Sequence, residues 1–187
     1  MDTGTRRTLS FAVQRQKRPE WCWAAVSVSV DLFFRPNSTH TQCELAGAVL
    51  KRACCDGGAP AKSAECNQTH TLHTVLGTLH LLAGDTVVRP GNPLSFSAVQ
   101  KEIDSGRPIC VLIKWLDKEG QLTTRGHFIT INGYHVTPGQ KQFVSISDPL
   151  YGASEIEFAQ FSSPSGGYHD GHGVWYASFL LGNEALR

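Results

Sequence analysis

The sequence predicts an α+β fold whose first half is helical and whose second half is antiparallel β-sheet. Three observations lead there. An apolar run with helical character follows Pro19, two further helical stretches precede Gly84, and from Ile109 onward short β-rich runs are separated by turn residues. At 187 residues the chain lies near the upper end of common domain sizes and can bury roughly 70% of its unfolded surface. One domain, residues 1–187, accounts for it, with a helical lobe over about 14–84 and a β-rich lobe over about 105–182.

The elements follow in order. Pro19 and Glu20 suit a first helical turn, and Ala24, Ala25, Val26, Val28, Val30, Leu32 and Phe33 continue it to Phe34. Apolar residues on nearly every side predict a helix that runs through the core and holds Cys22 at its positive end. Thr41 and Glu44 form a capping box that opens a helix through Leu45, Ala46, Val49 and Leu50. A third helix is expected over 71–83, with Leu72, Val75, Leu76, Leu79 and Leu82 inward and Gly84 as its stop. Between these two, Cys54 to Gln68 reads as a Gly- and Ala-rich loop. A short helix over 97–104 ends at Gly106, and strands are expected over 109–115, 128–134, 143–147, 155–161 and 174–181.

The segment Gly126 to Pro149 reads as a hairpin around Thr137-Pro138-Gly139. A turn centred between Thr137 and Pro138 pairs Ile129 with Ile146, Ile131 with Val144, and His127 with Asp148, all on one face. Opposed Cβ atoms lie about 4.5–5.5 Å apart, near enough for a carboxylate to hold an imidazole by one ring nitrogen. A slip of two residues preserves that face, whereas a slip of one sets serines against isoleucines. A strand-end polar contact is the structural alternative for the His-Asp pair.

A thiol is strongly nucleophilic only as a thiolate, a form favoured by a helix N-terminus, a nearby imidazolium and partial exposure. One cysteine beside a tryptophan is otherwise ordinary core packing. Here Gln16 stands six positions before Cys22, and His127 and Asp148 follow. The four supply an oxyanion donor, a nucleophile, a general base and an orienting acid, the parts that acyl transfer through a thioester requires. Gln14 is the rival donor. Trp21 and Trp23, flanking the nucleophile, are candidate substrate-binding residues.

On Gln16, Cys22-Trp23-Ala24-Ala25, Gly126-His127-Phe128, Gly133-Tyr134 and Asp148-Pro149, with Gln42 to Ala46, Cys54-Cys55 and Gly106 to Ile109 as further text, the chain resembles papain-like cysteine peptidases. It is most similar to the compact bacterial type that includes staphopain-like enzymes and the cysteine-protease effectors injected into plant cells. The resemblance spans Gln14 to Tyr151. It implies a helical lobe packed on an antiparallel sheet or half-barrel, with Cys22 on the first, His127 and Asp148 on the second, and a peptide or protein substrate between. It further implies a monomeric endopeptidase without a cofactor, in which Gln16 completes the oxyanion hole. Plant papains carry Asn where this chain has Asp148, have longer chains, and lack a tryptophan at the position of Trp21; the bacterial relatives accept Asp. Two other classes keep the same residues: another Cys-His-Asp acyl-transfer enzyme such as a transglutaminase, deamidase or acyltransferase, and a binding module that has lost catalysis.

Cys43, Cys54, Cys55 and Cys66 flank one loop. They suit two disulfides in any of three pairings, or a tetrathiolate zinc site, although adjacent Cys54 and Cys55 lack the two-residue knuckle spacing of zinc sites. Disulfides imply an oxidising destination, that of a secreted or translocated effector, with a cytoplasmic protein as the alternative. Met1 to Ser10 is polar and lacks the apolar core of a secretory leader, which points to a mature or truncated chain or to export without a cleaved signal. Cys110, in an apolar strand, reads as core. His70, His73 and His80 read as surface decoration, and His169 and His172 occupy a mobile Gly-rich loop that could border the cleft, so no metal is assigned. A formal net charge of +1 without a basic stripe argues against nucleic acid, the Arg6-Arg7 and Arg15 to Arg18 charges reading as a solvated face. No run of about 18 apolar residues is present to span a membrane.

Overall fold

The computed structural model describes residues 4–88 and 91–182, so the extreme ends of the expected single domain lie outside the described residues. In chain order the elements are β1 (Thr5–Thr8), α1 (Cys22–Phe34), α2 (Gln42–Leu50), β2 (Cys55–Asp56), β3 (Ala59–Pro60), a 3-10 turn (Ala64–Cys66), α3 (Leu72–Thr78) and β4 (Leu82–Val88). There follow α4 (Phe96–Asp104), β5 (Ile109–Leu116), β6 (Leu122–Val136), β7 (Gln142–Asp148), β8 (Gly152–Glu157), α5 (Phe158–Phe161) and β9 (Gly173–Leu181). The fold is α+β. One antiparallel sheet has the order β4-β9-β5-β6-β7-β8, with β1 added on the far part of β6; β2 and β3 form a separate two-stranded ribbon.

The sheet carries a core on each face. On one, α1, α2 and α3 pack with Cys110, Phe128, Ala177 and Phe179; on the other, Val99 and Ile103 of α4 and Phe161 of α5 pack with Ile109, Val111, Ile113, Ile129, Ile131 and Trp175. Alternate residues of β5 and β6 feed opposite cores, which is the period-2 geometry of a strand buried on both sides. α1 is buried from Cys22 to Asp31 and at Phe34, the polar Ser27, Ser29 and Asp31 included, as apolar residues on nearly every side predict.

Three expected elements differ from the structure. The first helix begins at Cys22 rather than Pro19, because Trp21 takes the cap position and the residues before it form a turn closed by Trp21 N–H on Arg18 O. The third helix ends at Thr78, not at Ala83. His80 adopts the left-handed φ of 55° that usually calls for glycine, with His80 N–H on Gly77 O and Leu81 N–H on Leu76 O, the paired bonds of a Schellman stop. Leu82 to Val88 is then free to become a sheet strand beside β9. The strand expected over 155–161 turns helical at Phe158, where Phe158 and Phe161, three apart, both pack on Trp175.

The hairpin register is also shifted. Its loop contains Thr137 to Lys141, with Gln140 in the left-handed region, so the turn centres further along than Thr137-Pro138. Val144 faces Tyr134 rather than Ile131, and Ile146 faces Ile131 rather than Ile129. A bulge at Asn132 lies between these pairs and reverses the facing of β6, so Tyr134 and Ile131 enter the same core although three residues apart. The inward faces of both strands survive the shift, and His127 remains on the face of Ile129 and Ile131.

Candidate active site

Cys22 is the first residue of α1, where backbone N–H groups have no intrahelical acceptor and the helix dipole is positive. It is 9% exposed, a thiol at the floor of a cleft, while the other free cysteine, Cys110, is fully buried and its thiol is pushed up in pKa by that burial. The segment bearing Cys22 is anchored to the cysteine-rich loop. Trp21 Nε1 donates to Cys66 O at 2.6 Å, Trp23 Nε1 to Gln68 O at 3.0 Å, and Glu20 N–H to Asn67 Oδ1 at 3.1 Å. Arg18 caps the carbonyls of Ala61, Lys62 and Ser63. Disulfide Cys43–Cys55 ties that loop to α2 and Cys54–Cys66 closes it on itself, resolving the choice among pairings and between disulfide and zinc.

Across the cleft His127 sits on β6 and Asp148 at the end of β7. His127 Nε2 and Asp148 Oδ1 are 2.9 Å apart, and both residues are buried. The two rows are offset, so the pair meets diagonally rather than directly opposed. Gly126 before the histidine is demanded by space: a Cβ there would stand 2.9 Å from Leu112 Cδ1 and 3.1 Å from Ile113 O. With Nε2 committed to Asp148, Nδ1 is the ring nitrogen left free, and Cys22 lines the same cleft near enough to favour the protonated ring. Burial disfavours the imidazolium, but the hydrogen bonds and charges of Asp148 and Cys22 outweigh it and raise His127 to about 9. Asp148 moves the other way. Burial opposes its charge too, yet the donors from His127, Tyr168 and Tyr151 hold its carboxyl below the usual range.

The imidazole lies among aromatic rings, with Trp115 stacked at 6.4 Å and Tyr151 edge-on at 6.0 Å between centroids. Tyr151 in turn stacks on His169 at 3.9 Å. The cleft has a volume of about 960 Å³, at the upper end for a site that buries a ligand segment. One wall is helical, with Glu20, Trp23, His70 and Leu72, and the other is the sheet and the 168–173 turn. His70 and His73 therefore line the cleft instead of merely decorating the surface, and His169 and His172 border it. Among the described residues no three His, Cys, Asp or Glu side chains gather as a metal site, and no helix is long and apolar enough to cross a membrane.

The remaining candidates fall as follows. Gln16 is tied to the acid side of the site through its backbone, Gln16 N–H donating to Pro149 O at 2.9 Å. Its side-chain Nε2 donates to Pro19 O at 2.7 Å and Arg18 O at 3.1 Å, and its Oε1 is buried without a partner. Gln14 is directed elsewhere, its Oε1 accepting from Gln42 Nε2. Trp21 is fully buried and lies outside the cleft, so it supports the nucleophile's segment rather than touching substrate; Trp23, equally buried, forms part of the cleft wall. Sequence reasoning missed the groups that hold Asp148: Oδ1 also accepts from Leu150 N–H and Tyr151 N–H, and Oδ2 accepts from Tyr168 OH. Asp148-Pro149-Leu150-Tyr151 carries a legible signal for the first two, since aspartate commonly closes such a turn on its own following backbone. Tyr168 has no such signal, because only the fold brings it to residue 148.

Comparison with known proteins bears on the family and the fold. The model of the Peptidase_C39 like family matches residues 8–163. A structure from Bacillus anthracis described as a C39-like peptidase superposes with a TM-score of 0.54 at 12% identity, over 95% of this chain and 98% of that one. Bromelain protease from Ananas comosus, solved with the E64 inhibitor, superposes with a TM-score of 0.53 at 13% identity, over 92% and 94% of the two chains. No curated protein sequence matches the chain.

Proposed function

We propose, from the premise that this chain belongs to the Peptidase_C39 like family and is a cysteine peptidase, that it cleaves internal peptide bonds through a thioester on Cys22. One observation carries the reading: His127 is held by Asp148 through Nε2 in the same cleft that Cys22 lines from the start of a buried helix. The sulfur attacks the scissile carbonyl carbon as a thiolate, beside an imidazolium that offsets its charge. The tetrahedral intermediate collapses, the C–N bond breaks, and His127 delivers its proton to the departing amine. Water, deprotonated by the now neutral imidazole, then attacks the thioester and releases the acid. Asp148 keeps the ring oriented through both half-reactions.

The oxyanion calls for two donors. The Cys22 backbone N–H, unpaired by its place at the helix start, is one. Gln16 Nε2 is the other, the substrate oxygen replacing Pro19 O as its acceptor. Protein or peptide chains are the substrate class, and two disulfides support an oxidising destination.

The test is digestion of an unstructured peptide library under mild reduction, with Cys22→Ala as control and mass readout of every product. Hydrolysis adds one water per cut and disappears in the variant, and iodoacetamide labels Cys22 before Cys110. Products joined through a lysine amine, or glutamines converted to glutamates without cleavage, would assign the site to acyl transfer or deamidation instead.

A further inference from the structure

We propose that Tyr168 is a positioning residue of the site, fixing the Asp148 carboxylate so that one oxygen always faces His127. The inference rests on the peptidase reading above and deepens it. The carboxylate is satisfied asymmetrically. Oδ1 accepts from His127 Nε2 at 2.9 Å, Leu150 N–H at 2.7 Å and Tyr151 N–H at 2.9 Å, whereas Oδ2 accepts from Tyr168 OH at 2.6 Å. The Asp148 side chain is fully shielded and Tyr168 is 5% exposed, so solvent is poorly placed to replace that hydroxyl. Its 2.6 Å length is that of a charge-assisted bond.

Tyr168 is itself held through both its ring and its backbone. Its ring packs edge-on against Phe161 at 5.8 Å. Its backbone pairs both ways with Gly173, Tyr168 N–H on Gly173 O at 3.0 Å and Gly173 N–H on Tyr168 O at 2.9 Å. A Cβ at position 173 would stand 3.0 Å from Tyr168 Cβ, so glycine is what lets the pair close. Inside the turn His169 and Asp170 are both left-handed, with φ of 48° and 59°, a conformation that non-glycine residues keep only where the surroundings over-determine it. Tyr168 is therefore in place before substrate arrives. The same turn carries His169, Asp170 and His172 to the cleft, so the unit that shapes this part of the cleft wall also holds the triad carboxylate.

The asymmetry also says how residue 148 tolerates an amide. An Asn there must keep its oxygen toward three N–H donors, which turns its NH2 toward Tyr168. A hydroxyl can reverse and accept; a phenylalanine ring cannot. The effect of Tyr168 thus depends on what residue 148 is, and a double-mutant cycle reads that dependence.

The experiment measures kcat/KM on a cleaved peptide for the wild type, Tyr168→Phe, Asp148→Asn and the double variant, with thermal unfolding as a check on folding. Tyr168→Phe is expected to lower kcat/KM by about 10- to 100-fold, mostly in kcat, as for loss of a bond to a buried charge. In the Asp148→Asn background the further loss should be under about threefold, since neutral partners bond more weakly. Equal fold-losses in both backgrounds, or no loss in the first, would overturn the inference. Should the Phe variant not fold, tyrosine fluorinated on the ring keeps the shape and makes a stronger donor; the alkaline limit of activity must then move to lower pH, and an unmoved limit overturns the inference. A wild type that cleaves no peptide refutes the peptidase reading alone. Tyr168 is then judged by NMR titration of His127, which the Phe variant shifts if the hydroxyl sets the carboxylate and leaves in place if it does not.

Discussion

Replacing Asp148 by Asn should move the alkaline limit of peptide hydrolysis to lower pH while leaving the fold intact. His127 titrates from 6.5 in an unfolded chain to about 9 here. Burial pulls it down, and it is raised by the hydrogen bond to Asp148, then by Cys22 and by the charge of Asp148. An Asn whose oxygen is pinned by Leu150 and Tyr151 N–H groups keeps the hydrogen bond to Nε2 but not the charge. The burial penalty remains, so the imidazolium loses its proton earlier, by about 1–3 pH units for removal of an opposite charge at this range. The same shift has a stability consequence. A histidine raised from 6.5 to about 9 stabilises the folded state by about 3 kcal/mol; that contribution is fully present below pH 6.5 and is lost as pH rises through 9. In the Asn variant the loss should begin at lower pH and be smaller. The assays are kcat/KM between pH 6 and 10, whose limbs report the thiol–imidazole pair as a unit, and thermal unfolding over the same range. A folded variant whose activity still falls near pH 9 would refute the assignment of the shift to the Asp148 charge, and complete loss of activity at every pH would show that the charge, rather than orientation, is required.

Gln16→Ala should reduce turnover by about 10²–10³ and leave the rate of Cys22 alkylation nearly unchanged, because an oxyanion donor acts on the tetrahedral intermediate. Gln14→Ala should change neither turnover nor alkylation, its side chain being engaged by Gln42; a larger loss from Gln14→Ala, or wild-type turnover without Gln16, would reverse the assignment. Removing the Cys54–Cys66 disulfide by serine substitution opens a loop with a sequence separation of 12 and should cost about 3 kcal/mol, lowering Tm by about 6–12 °C. The loss should extend to kcat, since Cys66 O anchors Trp21 beside the nucleophile; unchanged Tm and turnover in the serine variant would show that the loop holds without its staple.

The periodic parts of the fold were legible because they rest on local rules. The Thr41–Glu44 capping box forms as expected, and the apolar run after Cys22 makes a helix buried on all sides. Ser95 caps α4, which begins at Phe96, one residue before the expected start. The boundaries that differed turn on choices no local rule makes. His80 takes a left-handed stop that composition assigns to Gly84, and it does so because Leu81 gains burial and the strand after it a sheet partner by leaving the helix.

The candidate site divides in the same way. Cys22 at a helix start, Gln16 six residues before it and the Gly126-His127 pair were all readable from residue type and spacing. The pairing of His127 with Asp148 was readable too, because alternation alone decides which face of a strand a residue occupies, even though the register itself was shifted by the longer turn and by the bulge at Asn132. What only the tertiary structure decided is everything that comes from distant parts of the chain: the Cys43–Cys55 and Cys54–Cys66 pairing, the carbonyls that anchor Trp21 and Trp23, and Tyr168 on the second carboxylate oxygen. Spacing along the chain encodes the face of an element and the chemistry it carries. Which atoms meet across elements depends on loop conformations and on side chains competing for the same donors, and those are settled only when the whole core closes.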